Sequence, residues 1–172
     1  NEKIRTVAVF GGSGFIGRYI VTELLKEDYL VKVFVRNPVK AKHLTLLGRL
    51  GQVEINQCNI MDISKVDKCI STVDKVINLV GVLEERNKQN FINIHLKGAI
   101  NIARACSKNN ISSFIHFSAL GLYDGEHSKY ANSKLEAENN IKNIFKNAII
   151  FKPSVVFGPE DNFTNKFAQM AS

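Results

Sequence analysis

Phe10-Gly11-Gly12-Ser13-Gly14-Phe15-Ile16-Gly17 is the stretch on which the reading of this chain turns. It follows an apolar run over residues 4–10 and leads into a helical pattern. Its glycines fall at 11, 14 and 17, a G-x-x-G-x-x-G spacing. Gly11 permits a tight turn off a strand. Gly14 leaves room for a phosphate to approach the backbone with no Cβ in the way. Gly17 lets the following helix pack closely on a sheet. The N–H groups at the start of that helix then face an anion. A glycine triplet alone carries little weight; its place between a strand and a helix, inside a βαβ unit, gives it meaning. The competing reading is a tight structural turn that holds nothing.

Working outward, strand and helix patterns alternate along the whole chain. Apolar runs predict strands over 4–10, 30–35, 53–58, 76–80, 114–117 and 148–151, the last stopped by Pro153. Apolar spacings of three and four residues predict helices over 15–26, 40–47, 63–70, 87–109 and 128–145. A strand–helix–strand alternation implies parallel pairing, because each parallel crossover needs an intervening helix. Short continuous apolar strands fit a sheet covered on both faces. The expected fold is α/β, a doubly wound parallel sheet of the Rossmann type with strand order 3-2-1-4-5-6. Residues 1–172 form one such domain. Residues 160–172 read as a loop and the start of a helix, so a C-terminal substrate lobe is expected beyond residue 172.

Composition excludes other classes. The 172 residues are 45% hydrophobic and 23% charged, ordinary for a globular domain rather than a disordered or fibrous chain. The net charge of +7 is scattered, with no run of five or more like charges, which favours solvated helix faces over a nucleic-acid surface. Cys58, Cys69 and Cys106 have no paired spacing, so neither a disulfide framework nor a zinc site is expected. They read as small buried side chains in a reducing, cytoplasmic compartment. His95 and His116 read as structural, and the four histidines have no ligand spacing, so no metal is expected. No apolar stretch approaches membrane-spanning length. The sequence starts at Asn1 rather than Met, which leaves a trimmed leader open.

Two further features point to chemistry. At the end of the second strand, Val35-Arg36-Asn37 stands where an Asp or Glu would bond a ribose 2′-hydroxyl. Arg36 suits a 2′-phosphate, through charge-assisted hydrogen bonds, which favours NADP(H) over NAD(H). A surface arginine compatible with either cofactor is the alternative. On the helix 128–145, Tyr130 and Lys134 stand at i and i+4, on one face. A neighbouring ammonium favours the phenolate and lowers the tyrosine pKa. The pair then suits proton transfer to or from a carbinol. Ser118, just past the fifth strand, is placed to bond a substrate oxygen at the carboxyl ends of the strands.

Taken together, Gly11 to Gly17, Asn78-Leu79-Val80-Gly81, Ser118, Tyr130/Lys134 and Lys152-Pro153-Ser154 resemble the short-chain dehydrogenase/reductase superfamily, in its extended or atypical, NAD-dependent epimerase/dehydratase branch. Longer stretches look like the nucleotide-binding accessory subunits of respiratory complex I and their bacterial relatives. These are VFGGSGFIGRYIV (9–21), VINLVGVLEE (76–85), FIHFSALG (114–121), YANSKLEAE (130–138) and KPSVVFGPEDNFTNKFA (152–168). The resemblance implies a tightly held NADP(H), with catalytic turnover in question.

By that resemblance Gly11, Ser13, Gly14, Phe15, Ile16 and Gly17 form the pyrophosphate loop, and Arg36 meets the adenosine ribose or its phosphate. Asn59 and Ile60 flank the adenine; many relatives carry Asp there, and the Asn amide oxygen serves in its place. Val80 and Gly81 pass under the ribose, Tyr130 and Lys134 hold the nicotinamide side, and Pro153 and Ser154 border the nicotinamide.

Three functions compete. The first is an NADP(H)- or NAD(H)-dependent oxidoreductase or epimerase with Tyr130, Lys134 and Ser118 as catalytic residues. The second is a non-catalytic nucleotide-binding subunit of NADH-ubiquinone oxidoreductase, partnered by complex I subunits and peripheral to the inner membrane. The third is an RNA-binding relative, motivated by the charge alone. The resemblance also leaves a homodimer open, since the family pairs through its long helices.

Overall fold

The computed structural model describes residues 5–82, 85, 90–122, 128–156 and 158. Six parallel strands form one sheet: β1 (Thr6–Phe10), β2 (Leu30–Val35), β3 (Val53–Gln57), β4 (Lys75–Asn78), β5 (Ser113–Phe117) and β6 (Ile149–Phe151). Their spatial order is β3-β2-β1-β4-β5-β6, the order expected. The sequence order therefore reverses between β1 and β4, and a crevice opens there at the carboxyl ends of the strands.

Alternate residues of each strand feed two cores. Val7, Val9, Val31, Val33 and Ile77 face α1 (Phe15–Lys26) and pack with its Val21 and Leu25. Ala8, Phe10, Phe34, Val76 and Phe114 face the other way. They pack under α3 (Ile63–Ile70), α4 (Gly98–Lys108) and α5 (Lys129–Ile144), on Val66, Ile70, Ile102, Ala137 and Ile141. Burial on both faces explains the near-continuous apolar runs of β1 and β2. The chain exit from β2 starts the short helix α2 (Pro38–Ala41), continued as a 3-10 turn over Lys42–Leu46. Asn37 caps α2 by accepting the Val39 N–H, and Pro38 supplies a preset first turn.

Two expectations need correcting. The helix expected over 87–109 is not a regular α-helix: its described part opens as a π-helical segment, Ile92–Lys97, and becomes α-helical only at Gly98. The fourth strand ends at Asn78 rather than residue 80, because the Asn78 side chain itself takes the Val80 N–H at 3.0 Å and turns the chain. The tail over 160–172 lies outside the described residues. Among the described residues, no helix is long and apolar enough to cross a membrane.

Candidate dinucleotide-binding site

The cleft is centred on the β1–α1 turn. Gly11 adopts φ +81°, open to glycine and costly for other residues. A Cβ on Gly11 would lie 3.1 Å from the Leu79 and Val80 backbone, so β1 and β4 approach here only because it has none. Gly17 is tighter: a Cβ there would come within 2.6 Å of the Gly11 carbonyl oxygen and the Gly12 Cα. That contact seats the first turn of α1 on the loop. Gly14 is the N-cap of α1, with no side-chain cap. It is exposed, and a Cβ on it would meet only the Gly11 carbonyl oxygen, at 3.3 Å. The helix N-terminus is thus bare on the cleft side, a cradle that suits a diphosphate.

From this loop a cleft of about 240 Å³ runs beside the tips of β2, β3 and β4. Gly11, Ser13 and Gly14 form one wall; Phe34, Val35 and Arg36 continue it on β2; Cys58, Asn59 and Ile60 form the floor after β3; Leu79 to Val82 close it after β4. Arg36 is exposed and is the polar side chain left free of capping at the β2 tip, since Asn37 caps α2. Ile60 is fixed from two sides. Its carbonyl accepts from buried Asn101 at 2.9 Å, and its Cδ1 occupies the space above Gly98, 2.3 Å from where a Cβ would be.

The other end of the cleft rests on a buried polar seam. The Asn78 amide oxygen accepts from Val80, so its NH2 donates to His116 Nδ1, at 3.0 Å. His116 Nε2 then carries the proton, buried and without a partner among the described residues. His95 Nε2 accepts from the Val82 N–H at 3.0 Å, so its Nδ1 donates to Ser133 Oγ, also at 3.0 Å. Ser133 passes its own proton to the Tyr130 carbonyl at 2.7 Å. Both imidazoles are held neutral. Burial and then the Lys134 charge depress His95 to about 4 and His116 to about 3.

Lys134, itself buried, donates to the Phe117 carbonyl at 3.2 Å and lies 3.6 Å from the Cβ position of Gly81. Burial lowers its pKa to about 8, against the opposing pull of Glu138. Tyr130 packs edge-on against Phe91 and His95, and burial raises its pKa. The expectation that Lys134 would lower the tyrosine is therefore corrected: the ammonium sits 5.9 Å from the ring centroid, and desolvation dominates. Ser118 donates to Glu138 at 2.5 Å, and the same carboxylate takes Lys152 at 2.7 Å.

Of the residues expected at the site, Gly11, Ser13, Gly14, Arg36, Asn59, Ile60, Val80 and Gly81 come together in the cleft, with Lys134 at its margin. Gly17 lies beneath the loop. The Phe15 ring meets Tyr19, and the Ile16 side chain lies on the outer flank of α1, away from the cleft. Pro153 and Ser154 follow β6 outside the cleft lining; the Pro153 carbonyl accepts from Leu120. Sequence reasoning missed Phe34, Cys58, Leu79 and Val82 as lining residues, and Asn78 and Glu138 as their supports. The lining ones flank expected positions at strand tips, a signal that was available; Asn78 stood in the quoted Asn78–Gly81 motif without a role, and the role of Glu138 shows only after folding.

The chain belongs to the NAD dependent epimerase/dehydratase family, whose model it matches over residues 7–172. It is 35% identical over 161 residues to the mitochondrial NADH dehydrogenase (ubiquinone) 1 alpha subcomplex subunit 9 of Mus musculus, covering 93% of this chain and 43% of that protein. It is 29% identical over 165 residues to the mitochondrial NADH-ubiquinone oxidoreductase 40 kDa subunit of Neurospora crassa, covering 96% of this chain and 44% of that protein. The chain spans less than half the length of these curated relatives. Among solved structures, the Bordetella bronchiseptica enzyme WbmH in complex with NAD+ superposes with a TM-score of 0.80 at 19% identity, over 98% of this chain and 63% of that one. That likeness shows the fold. Family membership gives the ligand class, a nicotinamide dinucleotide.

Proposed function

We propose that this chain is the dinucleotide-holding part of an accessory subunit of an NADH-ubiquinone oxidoreductase, and that it retains NADP(H) without turning it over. The observation that carries this reading is that Ser118 is engaged inside the fold and Tyr130 is packed among aromatic rings. The Ser118 hydroxyl is given to Glu138, and Tyr130 is pushed up by burial against Phe91 and His95. A phenol raised above its ordinary value is a poorer base near neutrality. The similarity to the mouse and Neurospora subunits supports the same reading, including an assembly with complex I subunits at the inner membrane.

The residues present fit the group. The bare turn at Gly14 takes the diphosphate. Ile60, over Gly98, offers an apolar seat for the adenine, and Asn59 offers an amide beside it. Arg36, with no carboxylate at the β2 tip, favours the 2′-phosphate of NADP(H). Lys134 reaches the margin at Gly81, on the nicotinamide side. A bound nucleotide that never reacts still stabilises the fold by mass action.

The test has two parts. Calorimetry should show NADPH bound more tightly than NADH, and Arg36→Ala should cost roughly tenfold with NADPH and little with NADH. Hydride exchange from bound NADPH to a carbonyl panel should be absent in the wild type. A second reading, a reductase, is favoured by one observation: burial beside the cleft lowers the Lys134 pKa to about 8. Turnover that disappears in Tyr130→Phe, with NADPH affinity unchanged, would replace the first reading with the second.

A further inference from the structure

The crossing from β2 to β3 mixes exposed apolar side chains with charge of one sign. Residues 29–53 hold Lys32, Arg36, Lys40, Lys42 and Arg49 and no Asp or Glu. The carboxylates that bound this stretch are already engaged, Asp28 by Arg49 and Glu54 by Lys32. Over α2 and the 3-10 turn, Ala41 and Leu44 are wholly buried in the core on the α1 side. Helical spacing leaves Val39, Lys42, His43 and Leu46 on the opposite face, and all four are exposed. Leu47 and Leu50 follow, exposed as well. Leu46 keeps 85% of its surface accessible, and Leu50 keeps all of it.

The leucines stand on a turn that is fixed from beneath. Buried Gln52 donates to the Leu25 carbonyl at 2.9 Å and accepts the Arg49 N–H at 3.0 Å. Gly48 lies against Leu25, whose side chain a Cβ there would meet at 3.2 Å. Gly51 turns the chain at φ +78°, with open space where a Cβ would be. We propose that this crossing is a membrane-docking surface: Val39, Leu46, Leu47 and Leu50 enter the interface of an anionic bilayer, and Lys40 and Lys42 meet its phosphate headgroups. The proposal depends neither on the reading of the cleft nor on a partner subunit.

Two arguments choose lipid over protein. Lysine is depleted from the cores of protein interfaces. Here Lys40 and Lys42 are interspersed with the exposed apolar residues. At a bilayer the apolar tips sink while the ammonium groups stay at the level of the phosphates, so the two kinds of side chain do not compete. Charge also sets this surface apart from the other apolar flank of the molecule. The groove along α1 formed by Ile16, Tyr19, Ile20 and Leu24 is bordered by Glu23 and Glu27, which an anionic surface would repel. Basic residues near such a surface gain from its negative potential, and salt screens the gain.

The test is flotation of the purified protein with lipid vesicles. The protein should bind vesicles of equimolar phosphatidylcholine and phosphatidylglycerol but not phosphatidylcholine alone, and added salt should weaken binding. Lys40→Gln/Lys42→Gln should lower the partition coefficient about tenfold. Leu46→Ser/Leu50→Ser should lower it by about tenfold or more, through lost apolar insertion. Both double variants should keep wild-type thermal stability and NADPH affinity, because all four side chains are exposed and outside the cleft. The chain has no tryptophan, so Leu50→Trp is a sole reporter, and its emission should shift to the blue on anionic vesicles. No binding to anionic vesicles, equal binding to both kinds of vesicle, an unshifted Trp emission, or binding that the leucine variant leaves unchanged overturns the proposal. Self-association that the leucine variant abolishes, without vesicle binding, would assign the surface to a second copy of the chain instead.

Discussion

The two ends of the cleft are built from different materials. The glycine-loop end is made of backbone: Gly11, Gly14 and Gly17 act by lacking a Cβ, and no side chain caps the helix that follows. The end at Gly81 is made of buried side chains: Asn78, His95, His116, Ser118, Ser133, Lys134 and Glu138 are all nearly inaccessible. At the first end a ligand would replace water at exposed amides. At the second end the polar groups are mostly satisfied by one another, so a ligand finds a finished surface. On the reading proposed above, that contrast is how one chain would keep a nucleotide-binding cradle while tying up the groups that would do chemistry on it.

The largest expected effect breaks the second end. Glu138 takes both Ser118 and Lys152, joining α5 to the ends of β5 and β6. Removing one member of a buried pair leaves the others desolvated and unpaired. Glu138→Ala should lower unfolding free energy in urea by about 3 kcal/mol. Glu138→Gln, which still accepts from Ser118, should cost less than half of that. Equal effects of Ala and Gln would mean that the carboxylate bridge does not hold this end together.

The next effect breaks the first end. A Cβ at Gly17 meets backbone atoms at 2.6 Å, which no rotamer can relieve. Gly17→Ala should cost about 2 kcal/mol of stability through forced backbone shifts. Gly14→Ala, with only a 3.3 Å approach to the Gly11 carbonyl, should barely change thermal stability yet weaken NADPH binding at least tenfold. If Gly14→Ala binds normally, the cradle is not where the diphosphate sits.

The same contrast marks what could be read from the sequence. Backbone devices are local, so the glycine loop and helices such as α1 and α3 were legible from spacing, and the strand order followed from the fold type that the strand–helix alternation implies. The seam was not. Ser118 sits at a strand end as expected, but its partner Glu138 is twenty residues on, visible only once α5 lies on the sheet. Tyr130 and Lys134 do share a helix, yet Phe91 and His95, from another element, set the tyrosine's environment. The π-helical segment at Ile92–Lys97 escaped for a similar reason. Over six residues its periodicity barely differs from that of an α-helix, and the bond from Val82 to His95 is tertiary.

The smallest effect sharpens the comparison, because it separates stability from binding at one residue. Lys134 is protonated at neutral pH although burial has lowered its pKa from 10.5 to about 8. Its depressed pKa means the unfolded chain holds more protons between those values, so stability rises with pH from about 8 to 10.5, and at pH 7 the fold carries the whole cost. Lys134→Met should remove that alkaline rise and stabilise the protein at pH 7 by about 1 kcal/mol, after loss of the bond to Phe117. The acid side has the same origin, burial, and the same sign. His95 and His116, depressed from 6.5 to about 4 and 3, give stability that is present above pH 6.5 and lost as pH falls through those values. Lys134 contributes to both depressions after burial, so in Lys134→Met the two imidazoles should titrate a fraction of a pH unit higher in the folded protein, and less stability should be lost on acidification. NADPH affinity should fall in the same variant, since the ammonium reaches the cleft at Gly81. A variant that loses affinity without gaining stability at pH 7 would show that Lys134 is a structural member of the seam rather than a buried charge kept for the ligand.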